Sequence, residues 1–235
     1  MTKVLVSAAG PRMRAALACS RPTFERFASV HGYDLAIATL DDDGPRGSPR
    51  VRAARWAKVQ LLRAALHAHD LAVWIDADAM FCRFDRDIAE DVPGDCFQAL
   101  VLEHFPDRFN PNCGVWALRR DEDAFAFLDE VERIGPLAHS WSDQAAVCAA
   151  LGWSLGNVHG SGAKPAHPSV FLARTGWLPP EWNPLGLAAR WPARVRHFAG
   201  MDMSRRLAAM RAELARLRDR GLLDGAPRAD HRRGA

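Results

Sequence analysis

Short apolar runs alternate with stretches of helical periodicity along the first half of the chain. Each run is bounded by polar residues or by glycine and proline, which is the pattern of a buried strand between loops. The strands predicted in this way are Lys3–Ala8, Leu35–Leu40 and Leu71–Ile75. A helix is predicted from Pro22 to Gly32, and a second helix carries the apolar stripe Trp56, Val59, Leu62 and Leu66.

The second half continues this alternation up to residue 151 and then loses its periodicity. The predicted strands are Cys96–Leu102 and Gly114–Leu118, and the predicted helices are Glu122–Ile134 and Trp141–Leu151. Ser140 and Asp143 have the spacing of a cap at the start of the second of these helices. Residues 152–192 are rich in glycine, proline and tryptophan. After them we predict a last strand, Arg194–Phe198, and an amphipathic helix with the stripe Leu207, Met210, Leu214 and Leu217.

Strands that alternate with helices indicate an α/β fold with a mainly parallel central sheet and helices on both of its faces. A length of 235 residues fits a single domain. We assign this domain to residues 1–202, a C-terminal amphipathic helix packed on it to residues 203–222, and a disordered tail to residues 223–235. A charged, glycine-rich and exposed loop is expected at residues 41–50.

The net charge of +3 is unevenly distributed along the chain. From residue 203 onward there are nine arginines and four acidic residues, whereas the rest of the chain has slightly more acidic than basic residues. A nucleic-acid enzyme would carry a basic face on its folded body, so the distribution argues against that class. The arginines of the last helix and tail fit a solvated helix face better than a contact with anionic lipid or a partner, which stays an alternative.

The five cysteines are odd in number, form no Cys-x-x-Cys pair and lie among apolar or small residues. These features predict reduced core residues of a cytoplasmic protein. The apolar part of the N-terminal sequence is too short for a signal peptide, and no run approaches the roughly 18–20 apolar residues of a membrane span. We therefore expect a cytoplasmic protein with no transmembrane segment.

Asp76 and Asp78 directly follow the apolar strand Leu71–Ile75. In an extended chain both carboxylates would point to one side, about 6.5–7 Å apart. Ligands of parallel sheets bind outside the carboxyl ends of the strands, where these residues are expected. A hard divalent cation that carries a diphosphate would compensate the two charges. The alternative is a solvated strand end with helix-capping aspartates.

His197 lies at the end of the last predicted strand and precedes the turn Ala199-Gly200. Because parallel strands present their ends on one edge of a sheet, we expect this histidine to meet Asp76 and Asp78. A glycine at the turn would allow a ligand to approach the backbone closely. The alternative is a hydrogen-bonded histidine of the core.

Three further short motifs have both a functional and an ordinary interpretation. Residues Asn112–Gly114 could hydrogen-bond a sugar hydroxyl or form a simple turn. Residues Ser142–Gln144, at a predicted helix start, place an acid and an amide together and could contact a ligand or only cap the helix. Trp182–Asn183 could stack on a sugar and bond it, or could close a rigid loop.

The order of these motifs is more specific than any one of them. Along the chain come Trp56–Lys58, Val73–Ala79, Asn110–Val115, Asp143–Gln144, Trp182–Asn183 and His197–Gly200. In this order they resemble the retaining nucleotide-sugar glycosyltransferases, above all glycosyltransferase family 34, the galactosyl-, xylosyl- and mannosyltransferases. The run His31–Asp34 is also similar to family 34, and family 8 shares much of the pattern. The resemblance extends over residues 3–202.

The resemblance implies a GT-A fold, a Rossmann-like single domain that binds Mn²⁺ or Mg²⁺ and a nucleotide-diphosphate sugar. It favours a UDP-sugar over a GDP-sugar as the donor. The implied reaction moves a hexosyl or pentosyl group, with retention, to a hydroxyl group of a glycan or of a small molecule.

The motifs also imply roles for individual residues. The metal ligands would be Asp76, Asp78 and His197. The catalytic residues in contact with the donor sugar would be Asp143 and Gln144. Further contacts with the donor or its pocket would come from Lys58, Asn112, Gly114 and Gly200.

One position departs from the family pattern in its charge. Family members usually carry a lysine two residues after the glycine equivalent to Gly200, and this chain has Asp202 there. We expect Arg205 or Arg206 to replace the lysine, with Asp202 turned outward to cap the last helix. Many eukaryotic members also have an N-terminal membrane anchor and stem, which we do not expect here.

Two other functions stay open at the level of sequence. A nucleotide-sugar-binding protein without activity is one of them, and Asp202 is the residue that favours it. The other is a phosphatase-type hydrolase, because an apolar strand that ends in Asp-x-Asp also suits aspartyl-phosphate chemistry. That class normally has the motif near the chain start and a later lysine and acidic pair, and neither arrangement is evident.

Overall fold

The structure, a computed structural model, describes residues 1–41, 49–185 and 192–224, and for residues 49–55 it describes the backbone. In these ranges the strands are β1 (Lys3–Ala9), β2 (Asp34–Thr39), β3 (Leu71–Ile75), β4 (Ala79–Phe81), β5 (Gln98–Phe105), β6 (Arg108–Arg119), β7 (Trp153–Ser154), β8 (Lys164–Pro165), β9 (Thr175–Trp177) and β10 (Val195–His197). The helices are α1 (Arg14–His31), α2 (Pro49–Ala68), α3 (Glu122–Ile134), α4 (Asp143–Ala150) and α5 (Met203–Asp219). Most of the predicted loop at 41–50, and residues 225–235 of the predicted tail, lie outside the described residues.

Six strands form the central sheet in the order β2-β1-β3-β6-β5-β9. β1 is parallel to β2 and β3, β9 is parallel to β5, and β6 is antiparallel to both β3 and β5. Three of the five pairings are therefore parallel, which confirms the predicted fold class. β6 reverses direction because only residues 106 and 107 join it to β5. A parallel neighbour would need a crossover of about a dozen residues or more.

Helices cover both faces of this sheet, as predicted. Successive residues of β3 point to opposite faces, so they belong to two different core layers. Val73 packs in the layer that contains Phe27 of α1. Trp74 packs in the layer that contains Leu62 of α2 and Phe127 of α3.

Helix α1 begins eight residues before the predicted start at Pro22, which lies inside the helix. The preceding sequence explains the earlier start, because residues 15–18 are three alanines and a leucine, the strongest helix formers. The predicted end is confirmed, since Gly32 adopts a left-handed conformation with φ 69° and closes the helix.

The last segment of the chain forms a second layer on α1. β10 pairs antiparallel with β4 in a two-stranded sheet separate from the central one. Met210, Leu214 and Leu217 of α5 are buried with Ala16 of α1 and Phe198. The predicted apolar stripe of α5 thus packs on the domain, while the division of the chain at residue 202 stays a prediction.

All five cysteines are buried and unpaired, in agreement with the prediction of reduced core residues. Among the residues that the structure describes, no helix has the length and apolar content needed to cross a membrane.

Candidate active site

Asp76 and Asp78 lie in the tight connection between β3 and β4. The Asp76 amide donates to Gly114 O (2.9 Å), and the Ala79 amide donates to Asp76 O (2.9 Å), so the chain turns at once after β3. The Ser20 hydroxyl fixes the turn further by donating to Ala77 O (2.9 Å). The expected extended conformation was therefore wrong, but the turn also directs both carboxylates to one side.

His197 joins the two aspartates through the β4–β10 pairing. It lies opposite Ala79 in the register, and the neighbouring Phe198 amide donates to Asp78 O (2.9 Å). Its Nε2 is 3.4 Å from Asp78 Oδ1 and 3.6 Å from Asp76 Oδ2. The expected meeting of the three residues is observed, although an antiparallel ribbon brings them together and not the common edge of a parallel sheet.

The second oxygen of each carboxylate is held by the protein. Lys58 Nζ lies 3.0 Å from Asp76 Oδ1, which also accepts from the Trp74 indole (2.6 Å). Arg206 Nε lies 3.2 Å from Asp78 Oδ2. One ligand atom from each of Asp76, Asp78 and His197 is thereby left within 4.8 Å of the others.

Opposite charges shift the pKa values of this cluster. Burial raises the pKa of Asp78, but its contacts with His197 and Arg206 lower it by more, so the net shift is downward. Burial lowers the pKa of His197, but the two aspartates raise it by more, so the net shift is upward. Both shifts favour the ionised pair, and a cation bound by these residues would take the place of the histidine proton.

Lys58 connects the first carboxylate to a third one. Its Nζ contacts Asp143 Oδ2 (2.9 Å), Asp76 Oδ1 (3.0 Å) and the Cys113 carbonyl (3.0 Å). Burial lowers the pKa of Lys58, but Asp143 and Asp76 raise it by more, so its pKa lies well above the usual value. The three protons of the ammonium therefore have protein partners, and Lys58 holds Asp76 and Asp143 on either side of it.

Asp143 is the first residue of α4 and follows a strained residue. Ser142 has φ 57° and ψ −118°, and it alone among the described non-glycine residues has a positive φ. Such a conformation costs on the order of 1–3 kcal/mol. The predicted cap by Ser140 and Asp143 is wrong, because α4 begins at Asp143 with Ser142 as its N-cap residue. Ser142 makes no capping bond with its side chain, and the Asp143 carboxylate pairs with Lys58. Gln144 Oε1 accepts from the Cys113 amide at 3.4 Å.

Gly114 lies beside His197, and Asn112 is connected to the same histidine through Asn183. Asn112 Oδ1 accepts from the Gly114 amide (2.7 Å) and from Asn183 Nδ2 (2.7 Å), and Asn183 Oδ1 lies 3.0 Å from His197 Nδ1. A Cβ atom on Gly114 would lie 2.4 Å from Cε1 of His197, so only glycine leaves room for the imidazole. Trp182, by contrast, is fully buried and donates to Asp91 Oδ2 (2.7 Å), which excludes the stacking role considered for it.

Both aspartates border a cleft of about 570 Å³ at the carboxyl ends of β1 and β3. Its polar wall is formed by Lys58, Asp76, Asp78, Asp143 and Arg206. Residues of the β1–α1 connection and of the segment before α5 complete it, among them Met13, Met201 and Asp202. Such a position is where ligands of open α/β sheets bind.

The two arginines considered as lysine replacements differ in position. The Arg206 side chain is mostly buried at the cleft, and its Nε also donates to Phe198 O (3.1 Å). Arg205 has an 85% exposed side chain whose Nε lies 3.4 Å from Asp202 Oδ2. Asp202 caps α5 as expected, since Oδ1 accepts from the Arg205 amide (3.0 Å). Gly200 precedes this cap in a turn that needs its φ of 73°.

Sequence reasoning did not identify Glu103, which is buried beside the site. Asn110 Nδ2 (3.1 Å) and Asn112 Nδ2 both donate to its carboxylate. Burial raises the pKa of Glu103 in spite of these bonds. The available signal in the sequence was a single acidic residue within the apolar run of β5. Because carboxylates are rarely buried without partners, such a residue indicates hydrogen-bond partners nearby.

Comparison with known proteins identifies the fold. No protein-family model matches the sequence, and no curated protein matches it. Solved structures do match, and one is a glycosyltransferase involved in the glycosylation of the major capsid of PBCV-1, with a TM-score of 0.62 and 14% identity over 90% of this chain and 100% of that one. The chain has a glycosyltransferase GT-A fold.

Two further structures with this fold are larger. The bifunctional glycosyltransferase WbbM has a TM-score of 0.56 and 15% identity over 91% of this chain and 50% of that one. The glycosyltransferase GlyE of Streptococcus pneumoniae TIGR4 has a TM-score of 0.50 and 12% identity over 98% of this chain and 66% of that one. At these identities the likeness concerns the fold, and membership of family 34 stays a prediction.

Proposed function

We propose that this protein is a metal-dependent glycosyltransferase that moves a sugar from a nucleotide-diphosphate sugar to an acceptor hydroxyl group. The observation that carries the proposal is the cluster of Asp76, Asp78 and His197, whose two carboxylates line the cleft of a GT-A fold. Asp76, Asp78 and His197 each offer one ligand atom, and these atoms lie within 4.8 Å of one another, which suits a divalent cation that replaces the histidine proton. A diphosphate would fill the remaining coordination positions.

The donor set fits a manganese or magnesium ion. Both carboxylates keep one oxygen toward the common point, because Lys58 and Arg206 hold the other oxygens. Carboxylate oxygens suit Mg²⁺ and Mn²⁺, and the imidazole nitrogen favours the transition metal Mn²⁺ over Mg²⁺. A bound divalent cation supplies Lewis-acid stabilisation to the leaving diphosphate.

The chain's cations complete the donor site in this proposal. Arg206 lies at the cleft beside Asp78, where it takes the place of the lysine that family members carry. Asp202 is engaged as a helix cap, so its carboxylate is directed to the amide of Arg205 and its charge is offset by the start of α5. Lys58 acts on the donor through Asp76 and Asp143 and not through the phosphates, because its protons already have partners.

Asp143 and Gln144 face the sugar in the proposed reaction. Lys58 Nζ fixes the Asp143 carboxylate in place (2.9 Å), and in this position the carboxylate can stabilise the positive charge that develops on the sugar as its bond to phosphate breaks. With retention, as the resemblance implies, the acceptor attacks from the side of the leaving group, and a phosphate oxygen takes the hydroxyl proton. The proposed donor is a UDP-linked hexose or pentose, and the acceptor is a glycan or a small molecule.

A panel of nucleotide sugars tests this function directly. Thermal unfolding is measured with UDP- and GDP-sugars, with and without Mn²⁺, for the wild type and for Asp76→Asn. A ligand at 100 times its dissociation constant adds about 2.7 kcal/mol, which raises the midpoint of a domain of this size by about 5–10 °C. We expect such a rise only with Mn²⁺ and only in the wild type, together with transfer or hydrolysis of the bound sugar. Equal shifts in EDTA would falsify the metal site.

An inactive nucleotide-sugar-binding protein remains the second candidate, because Asp202 stands where the family has a cation. The same panel separates the two functions. If the donor binds but no product forms with any acceptor tested, the inactive binding protein would be favoured over the glycosyltransferase.

A further inference from the structure

A chain of buried amides connects Glu103 to the imidazole of His197. Asn112 donates to Glu103 and accepts from Asn183 Nδ2 at 2.7 Å, and Asn183 Oδ1 lies 3.0 Å from His197 Nδ1. Glu103 and both asparagines are buried. None of these side chains lines the cleft, so their bonds are made within the protein.

The direction of each hydrogen bond in this chain follows from a backbone group. The Gly114 amide can only donate, and it lies 2.7 Å from the Asn112 side chain, so the atom of Asn112 at that place is the carbonyl oxygen. The same oxygen faces Asn183, which must therefore present its NH₂ group to Asn112. The carbonyl of Asn183 is then directed at His197, and Nδ1 of the imidazole must carry a proton to bond it.

We propose that Asn112 and Asn183 are positioning residues that hold the proton of His197 on Nδ1 and thereby leave the lone pair of Nε2 free for a metal ion. The inference rests on the proposed function for the identity of the metal. It changes the role of Asn112, which acts on the site through His197 and not by binding the sugar. Glu103 supports the orientation from the other end, because its carboxylate accepts from the Asn112 NH₂ group.

The alternative state of His197 would oppose metal binding. Two carboxylate oxygens lie 3.4 and 3.6 Å from Nε2, and they attract a proton to that nitrogen. Without the Asn183 carbonyl, a neutral imidazole would keep its proton on Nε2, where the metal would have to bind. Partners of this kind, which act behind a metal ligand, typically change the affinity for the metal 10- to 100-fold.

Mn²⁺ binding without substrate tests the proposal by electron paramagnetic resonance of the free ion. Asn183→Leu should weaken binding about 10- to 100-fold. The matched control is Gln98→Leu, because Gln98 is also a fully buried amide that donates one side-chain bond, to Thr175, and accepts one, from Trp116. The control should bind Mn²⁺ like the wild type. Equal affinities of wild type and Asn183→Leu would overturn the proposal.

A double-mutant cycle separates positioning from a general loss of structure. In the background of His197→Ala, Asn183→Leu should weaken Mn²⁺ binding no further, since its effect passes through the imidazole. A loss of the same size in both backgrounds would contradict the inference.

Nitrogen NMR of the wild-type protein with labelled histidine measures which ring nitrogen of His197 carries the proton. This measurement does not need the Asn183→Leu variant. The His197 signal, assigned by its absence in His197→Ala, should show a slowly exchanging proton on Nδ1, and with Mg²⁺ an unprotonated Nε2. An unprotonated Nδ1 would overturn the proposal even if Asn183→Leu does not fold. A protonated Nδ1 in a protein that binds no Mn²⁺ would instead overturn the proposed function and leave the hydrogen-bond chain in place.

Discussion

At the scale of single residues, the site is a set of charges that satisfy one another in pairs. Asp143 and Asp76 share Lys58, and Asp78 lies between His197 and Arg206. A buried charge is costly without a partner, so each substitution here affects the neighbour as well. Conservative variants, which remove charge but keep shape, therefore give the clearest tests.

Asp143→Asn should lose sugar transfer by orders of magnitude and still bind UDP with Mn²⁺. The amide can still accept from Lys58, but it no longer carries the charge that stabilises the developing cation. The transfer rate tests the expected loss of activity, and the Kd for UDP tests the expected retention of nucleotide binding. The control Asp123→Asn changes another acid in the first turn of a helix, α3, outside the cleft. If UDP affinity fell as much as the rate, Asp143 would have a different role.

Arg206→Ala should weaken the binding of UDP with Mn²⁺ about 10- to 150-fold, the effect of losing one charge-assisted hydrogen bond. Arg205→Ala should not, because its side chain is exposed and pairs with Asp202. Arg211→Ala, on the exposed side of α5, is the distant control. The Kd values from calorimetry decide between them. If all three variants have the Kd of the wild type, neither Arg205 nor Arg206 binds the diphosphate, and the metal and the backbone would have to hold it.

At the scale of elements, one buried carboxylate connects three segments far from the cleft. Asp87 caps the short 3-10 helix Ile88–Asp91, pairs with Lys3 of β1 and accepts from the hydroxyl of Tyr33 (2.7 Å). Tyr33 belongs to the run that resembles family 34, and here it has a structural partner. Burial raises the pKa of Asp87, but these bonds lower it by more, so the net shift is downward.

Asp87→Asn should reduce the free energy of unfolding at pH 7 by about 1.5–3 kcal/mol. A carboxyl whose pKa is lower in the folded state stabilises the protein fully above its unfolded value, about 4, and loses this effect as the pH falls through the folded value. The difference between wild type and variant in urea unfolding should therefore shrink below about pH 4. Asp129→Asn, an exposed partner of Arg63, should show little difference at either pH.

At the scale of the whole molecule, the sequence predicted the features that depend on neighbouring residues, namely the bounds of single strands and helices. The bounds of β3 and α3 agree with the prediction. The ends of an apolar run and of a capped amphipathic stretch are visible in the local sequence itself. The direction of β6 and the β4–β10 ribbon depend on pairing between distant segments, which periodicity does not encode. For the same reason Asp76 and Asp78 could be predicted from the sequence but Glu103 could not, because its partners come from the next strand.

The β4–β10 ribbon has a consequence for the local stability of the protein. His197 and Arg206 both belong to the C-terminal segment, whereas Asp76 and Asp78 follow the central sheet. When this segment opens, the proposed metal site loses one of its three ligands, so the bound state and the closed segment stabilise each other.

Amide hydrogen exchange should reveal this linkage. Mn²⁺ with UDP should slow exchange in residues 195–219 more than in β1 or β2, because the energy of binding is lost only when the segment opens. His197→Ala should remove most of the difference. Uniform slowing across the chain would show that binding stabilises the fold as one unit. If the slowing is confined to residues 195–219, the C-terminal segment unfolds locally less often when the donor is bound. The frequency of this local unfolding would then report whether the donor is present.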